Sequence, residues 1–115
     1  MRRTALPDTP FQRFVLLAVA DLALEDRLPV HSFDVRERCT ARTGSVTCAE
    51  GGVERTAVLH ALEALSGDGP LTEVEVTSPV GKGRPGFDLD PDPAEVVAAL
   101  VSDESVGDYA RSRQD

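Results

Sequence analysis

The stretch GVERTAVLHALEALSGDGPLTEVEVTSPVGKGRPGFDLD (Gly52–Asp90) decides how this chain folds. At about 100° per residue, Val53–Ser66 puts Ala57, Val58, Ala61, Leu62 and Leu65 on one side of a helix. Arg55, Thr56, His60 and Glu63 fall on the other side, with Leu59 among them. Gly67 is placed to close the helix in the left-handed conformation, and Gly69-Pro70 to turn the chain. LTEVEVT (Leu71–Thr77) and GFDLD (Gly86–Asp90) then alternate apolar and polar residues, the pattern of two half-buried strands. Between them SPVGKGRP carries Lys82, the only lysine of the chain, and Arg84. Helix, turn, strand, glycine-rich cationic tip and strand form the organising unit, and a helix followed directly by such a hairpin is how a winged helix ends.

Upstream, residues 1–8 are expected to form a flexible arm carrying Arg2 and Arg3. The first helix is expected to start at Asp8 or Thr9 with Pro10 in its first turn. Phe11, Phe14, Val15, Ala18 and Leu22 make its apolar face, broadened by Leu17 and Leu24. Arg13, Asp21, Glu25 and Asp26 are assigned to its polar side, and Leu28-Pro29 to its end. Val30 and His31 are expected to pair briefly with the later hairpin. Ser32 would then cap a second helix, SFDVRERCTAR, with Phe33, Val35 and Cys39 facing inward and Asp34, Arg36, Glu37, Arg38 and Arg42 forming a solvated face. Thr43–Gly52 reads as a long polar connection. After the hairpin, Asp92, Pro93 and Glu95 give the start signal of another helix, docked by Val96, Val97 and Leu100. From Ser102 the chain reads as a polar tail. The expected class is α+β, a winged helix-turn-helix over residues 9–101 with a three-helix core, a β-hairpin wing and an extra C-terminal helix, followed by a tail at 102–115.

The chain has 115 residues, enough for one domain with one core. Its formal charge of −8 sits awkwardly with phosphate binding, which rests on Lys and Arg. The charge is uneven, however. Residues 1–13 and 78–87 each carry a net +2, whereas 88–104 carry six acids and no base. Eleven arginines to one lysine, with abundant Asp, Val and Thr, resemble proteins of salt-loving archaea, in which an acidic surface maintains solubility. There is no apolar run of membrane-spanning length and no signal-peptide pattern, so a cytoplasmic location is expected.

Cys39 and Cys48 are expected to be free thiols, Cys39 in the core and Cys48 in a loop. With His31 and His60 they match no zinc-site spacing, so no metal or other cofactor is expected. Phosphate-loop, HExxH and GxSxG patterns are absent. DLDPD (Asp88–Asp92) lacks the glycine and distal glutamate of a calcium loop. No enzymatic role is expected.

The residues that suit duplex DNA are Arg55, Thr56 and His60 on helix 53–66, for the major groove, and Lys82 and Arg84 in the wing 78–86, for the minor groove or phosphates. Arg2 and Arg3 would act as a second arm. Each also has a plain reading as a surface charge: Arg55 paired with a neighbouring acid, Lys82 and Arg84 keeping a hairpin tip soluble. The alternative function is a protein–protein interaction module that uses the acidic stretch 88–104. A homodimer through the first helix or the helix after the hairpin is compatible with either.

Three segments, LPDTPFQRFVLLAVADLAL, ERTAVLHALEAL with LTEVEVTSPVGKGRPGFDLD, and PDPAEVVAALVSDES, resemble the C-terminal winged-helix domain of archaeal replication initiators of the Orc/Cdc type. The likeness covers roughly residues 5–104. It implies origin-DNA contacts at Arg55, Thr56, Lys82 and Arg84, and a role in replication-origin recognition or transcription regulation. The chain departs from that pattern in holding no ATPase module, in the single arginine of its recognition helix and in its longer Gly67–Pro70 turn.

Overall fold

In the computed structural model, which describes residues 9–43, 53–67, 69–77 and 83–113, helix α1 (Pro10–Leu24) runs through the middle of the molecule. Thr9 caps it, its hydroxyl accepting from the Gln12 amide at 3.2 Å, and Pro10 takes a first-turn position that needs no donor. It ends at Leu24, four residues before the expected stop at Leu28-Pro29. Asp26, with φ 60°, supplies the left-handed residue of a helix-closing turn in which the Asp26 amide donates to the Ala23 carbonyl and the Arg27 amide to that of Leu22.

Ten consecutive residues, Phe14–Ala23, are buried, so α1 has no solvent face along that run. A helix apolar on nearly every side must be covered on every side. Helices α2 (Ser32–Ala41), α3 (Arg55–Gly67) and α4 (Pro93–Leu100) supply the cover, with a contribution from the hairpin. What α1 leaves exposed lies at its two ends, at Pro10 and Leu24.

His31, rather than Ser32, holds the cap position of α2, and its amide donates to Asp34 Oδ2 at 3.1 Å. Val35 and Cys39, one turn apart, face the core as expected. Phe33 does not. It is 61% exposed, because it lies about 200° round the helix from Val35. Helix α3 starts at Arg55, two residues later than expected, and continues through Gly67. Val53 is left outside the helix and buried. At Gly69 a side chain is excluded, since a Cβ would collide with the Leu65 carbonyl.

Strands β1 (Leu71–Thr77) and β2 (Gly83–Leu89) pair antiparallel along their whole length, from Leu71 opposite Leu89 to Thr77 opposite Gly83. β2 therefore begins three residues before the expected Gly86, and part of the expected wing 78–86 is strand. Val30 and Phe87 exchange both backbone hydrogen bonds, at 3.0 and 2.8 Å, so the segment before α2 pairs with β2 as expected. Asp92 caps α4 by accepting from the Ala94 amide at 2.9 Å.

The expected polar tail is the largest correction. Residues Gly107–Ser112 form a further helix, α5, and Val106, Tyr109 and Ala110 are fully buried. The fold is thus α+β, with five helices and one two-stranded hairpin among the described residues.

Tyr109 reaches Asp21, which the pattern of α1 assigned to solvent and which is instead fully buried. The Tyr109 hydroxyl donates to Asp21 Oδ2 at 2.7 Å, and Arg38 Nη1 lies 2.8 Å from the same oxygen. Arg113 Nε meets Oδ1 at 2.6 Å as an opposing charge, without hydrogen-bond alignment. Arg38 also donates two parallel bonds to Glu25, at 2.8 and 2.9 Å. The Tyr109 ring stands edge-on to Phe14, and the Arg42 guanidinium lies 5.4 Å from its centroid.

Burial pushes the Asp21 pKa up, but the hydrogen bonds from Tyr109 and Arg38 and the charges of Arg38 and Arg113 outweigh it and hold the carboxyl below its ordinary value. Burial, followed by the bond to Asp21, drives the Tyr109 phenol upward and keeps it neutral.

Removing the Asp21 charge leaves the buried Tyr109 hydroxyl and two arginines without their shared partner, and removing the Tyr109 hydroxyl takes one bond from the buried carboxylate. Asp21→Asn is expected to cost about 3–5 kcal/mol, and Tyr109→Phe about 1.5–3 kcal/mol, in denaturant unfolding. The depressed Asp21 pKa sets the sign of the acid response. Its contribution is complete well above the ordinary value of 3.8 and is lost as pH falls through and below it. Thermal melts should therefore show wild-type stability falling with acidification below about pH 4, with a shallower fall in Asp21→Asn.

Candidate nucleic-acid interface

The N-terminal half of α3 is presented to solvent. Arg55, Thr56, His60 and Glu63 are exposed, Ala57 and Leu59 are half-buried, and Val58, Ala61, Leu62 and Leu65 are buried. The apolar spacing requires this division, because four side chains at i, i+3, i+4 and i+7 fix which side of the helix meets α1 and β1. Three of the sequence-predicted contact residues, Arg55, Thr56 and His60, are thus exposed; Thr56 and His60, one turn apart, share a face, whereas Arg55 lies about 140° round the helix from His60.

The start of α3 is held by Arg36, which the sequence assigned to a solvated face. Its Nε donates to the Val53 carbonyl at 3.2 Å. The Glu54 carbonyl accepts the first helical bond, from the Val58 amide at 3.1 Å. With Val53 pinned from α2, the helix begins at Arg55. Nothing in the local sequence singles out Arg36, since its partner is a backbone carbonyl seventeen positions away.

Arg84 stands in β2 opposite Val76, within the ladder rather than at a free tip. Lys82, Arg2, Arg3, Cys48 and most of the connection Thr43–Gly52 lie outside the described residues. Among the described residues, no three His, Cys, Asp or Glu side chains converge as a metal site, and no helix is long and apolar enough to cross a membrane. An open groove of about 550 Å³ borders α2, but its walls include Arg27, Asp34 and Arg38, which already bear ion pairs.

The acids of 88–104 are less available than their sequence suggests. Asp90 accepts from the Thr72 hydroxyl at 2.8 Å, and Asp92 is spent capping α4. Asp103 pairs with Arg13 at 3.1 Å and accepts from the Ser105 and Val106 amides. Glu95 and Glu104 are exposed.

Arg36→Ala removes the bond to Val53 while leaving α2 its core residues. It is expected to cost about 1 kcal/mol and to speed amide hydrogen exchange at Val58, the first donor of α3, relative to the amides of α1. Comparison of the chain with protein-family models, with curated proteins and with solved structures finds no match.

Proposed function

We propose that the chain is a winged-helix DNA-binding module acting in transcription regulation or replication-origin recognition. In this reading α3 lies in the major groove, and the β1–β2 connection touches the minor groove or its flanking phosphates. The observation that carries it is the combination of order and pairing. The segment before α2 bridges to β2 through Val30 and Phe87, and α3 runs directly into the hairpin while its Arg55, Thr56 and His60 face solvent. A helix N-terminal half with exposed donors, followed by a hairpin bearing Lys82 and Arg84, matches the docking geometry of helix-turn-helix readers.

The roles divide by chemistry. Arg55 suits guanine, to which it can donate two parallel bonds. Thr56 and His60 suit bases or phosphates. Lys82, Arg84, Arg2 and Arg3 supply the charge that draws the duplex in. A protein partner on residues 88–104 is the weaker reading, because Asp90, Asp92 and Asp103 already serve the molecule's own turns and caps.

The test is equilibrium binding to duplex DNA across a salt series. Affinity should fall as salt rises. Lys82→Ala with Arg84→Ala should weaken binding to all sequences and reduce the salt slope by about 2, one for each lost phosphate contact. Arg55→Ala should relax preference at one base position, at a cost of about 1–3 kcal/mol on the preferred site. An absence of salt-sensitive binding to any duplex would remove the proposal.

A further inference from the structure

Leu59 is half-buried on α3. It belongs neither to the buried cluster nor, among the described residues, to the partly buried apolar side chains packed against that cluster. It sits half-buried on the flank of the α3 face that exposes Thr56, His60 and Glu63. Glu63 follows it by one turn, so the two side chains are neighbours about 5–6 Å apart at Cβ. The same face is poor in cations. Glu63 stands exposed on it, and Arg55 is the one cation of α3. A face of that composition repels phosphate, so attraction to the DNA backbone does not explain why its residues are presented.

Base edges are a different matter. In the major groove an apolar side chain packs on the C5-methyl of thymine, and a carboxylate accepts from the N4 amino group of cytosine. Threonine and histidine on the same face add donors.

We infer that α3 selects its DNA through Leu59 and Glu63, reading a thymine methyl and a cytosine amino group within two base pairs of each other. The inference rests on the DNA-binding reading above and names the bases that reading leaves open. Glu63 then excludes as well as selects. Beside an acceptor edge its carboxylate is unpaired and repelled, which suppresses binding at wrong sites. The consequence is weak non-specific affinity set by the wing, with discrimination set by the helix.

The test begins with selection of bound duplexes from a random library by the full chain, followed by equilibrium binding to the enriched site. The enriched site should carry a thymine and a cytosine within two base pairs. Replacing that thymine by uracil removes one methyl and should weaken wild-type binding about fourfold, from about 0.8 kcal/mol per buried carbon. Leu59→Ala, checked for an unchanged melting temperature, should bind the thymine and uracil duplexes equally. Glu63→Gln should move the selected base from cytosine to adenine, because the glutamine amide pairs with adenine instead. Enrichment of a site indifferent to uracil, with the same consensus for Glu63→Gln, would overturn this inference and leave DNA binding standing. Failure to enrich any duplex would overturn both.

Discussion

A carboxylate buried in the middle of an otherwise apolar helix must be neutralised where it lies, and much of this molecule is arranged around doing so. Asp21 lies within the buried run Phe14–Ala23 and draws three partners from two separate parts of the chain: Arg38 of α2, and Tyr109 of α5 with Arg113 just beyond it. An isolated ion in such a place would cost many kilocalories or shed its charge. Here the partners hold the carboxyl below its ordinary pKa, so the charge is kept. Glu25, one turn on, shares Arg38 and lies 3.8 Å from the Arg113 guanidinium, which extends the cluster to the surface. A buried ion cluster is weak evidence for high stability, because desolvation of its charges offsets their attraction.

That arrangement bears on the face that α3 presents. Helix α2 is fastened on two sides, by Arg38 to α1 and by Arg36 to the Val53 carbonyl at the head of α3. Between those contacts Val35 and Cys39 fill the core. The position of Arg55, Thr56, Leu59 and Glu63 therefore follows from a chain of direct contacts running from Asp21 through α2. On the other side the hairpin is tied to the core by Phe87, which is buried and bonds to Val30. Helix α3 and the hairpin are thus each tied to the core by direct contacts.

The charge balance takes on a different meaning once contacts are known. A net charge of −8 suggests an acidic surface open to partners, yet many acids have internal work. Asp92 and Asp103 cap turns or helices, Asp34 holds the His31 amide, and Asp21 and Glu25 neutralise arginines. Several arginines are likewise engaged: Arg13 with Asp103, Arg38 with Asp21 and Glu25, and Arg111 with Asp108 and the Val101 carbonyl. Among the described residues of α3, Arg55, Thr56, His60 and Glu63 are exposed.

Local signals in the sequence were enough to locate the helices at Pro10, Ser32 and Pro93, the core side of α3, the strand Leu71–Thr77 and the pairing of Val30 with the hairpin. These depend on short-range chemistry: caps and prolines at helix starts, a 3.6-residue apolar period, and alternation in strands. Tertiary structure decided the rest. Asp21 reads as a solvent-facing residue until its partners, 17, 88 and 92 positions away, are brought to it. The helix around Tyr109 looks like a polar tail because its apolar signal is only Val106, Tyr109 and Ala110, too short to establish a period. Phe33 reads as inward from its hydrophobicity, but the phase set by Val35 and Cys39 turns it out. For Asp21 and Tyr109 the deciding term is burial and pairing by residues distant in the chain, which no local pattern encodes; for Phe33 it is the phase of α2, fixed once Val35 and Cys39 are packed in the core.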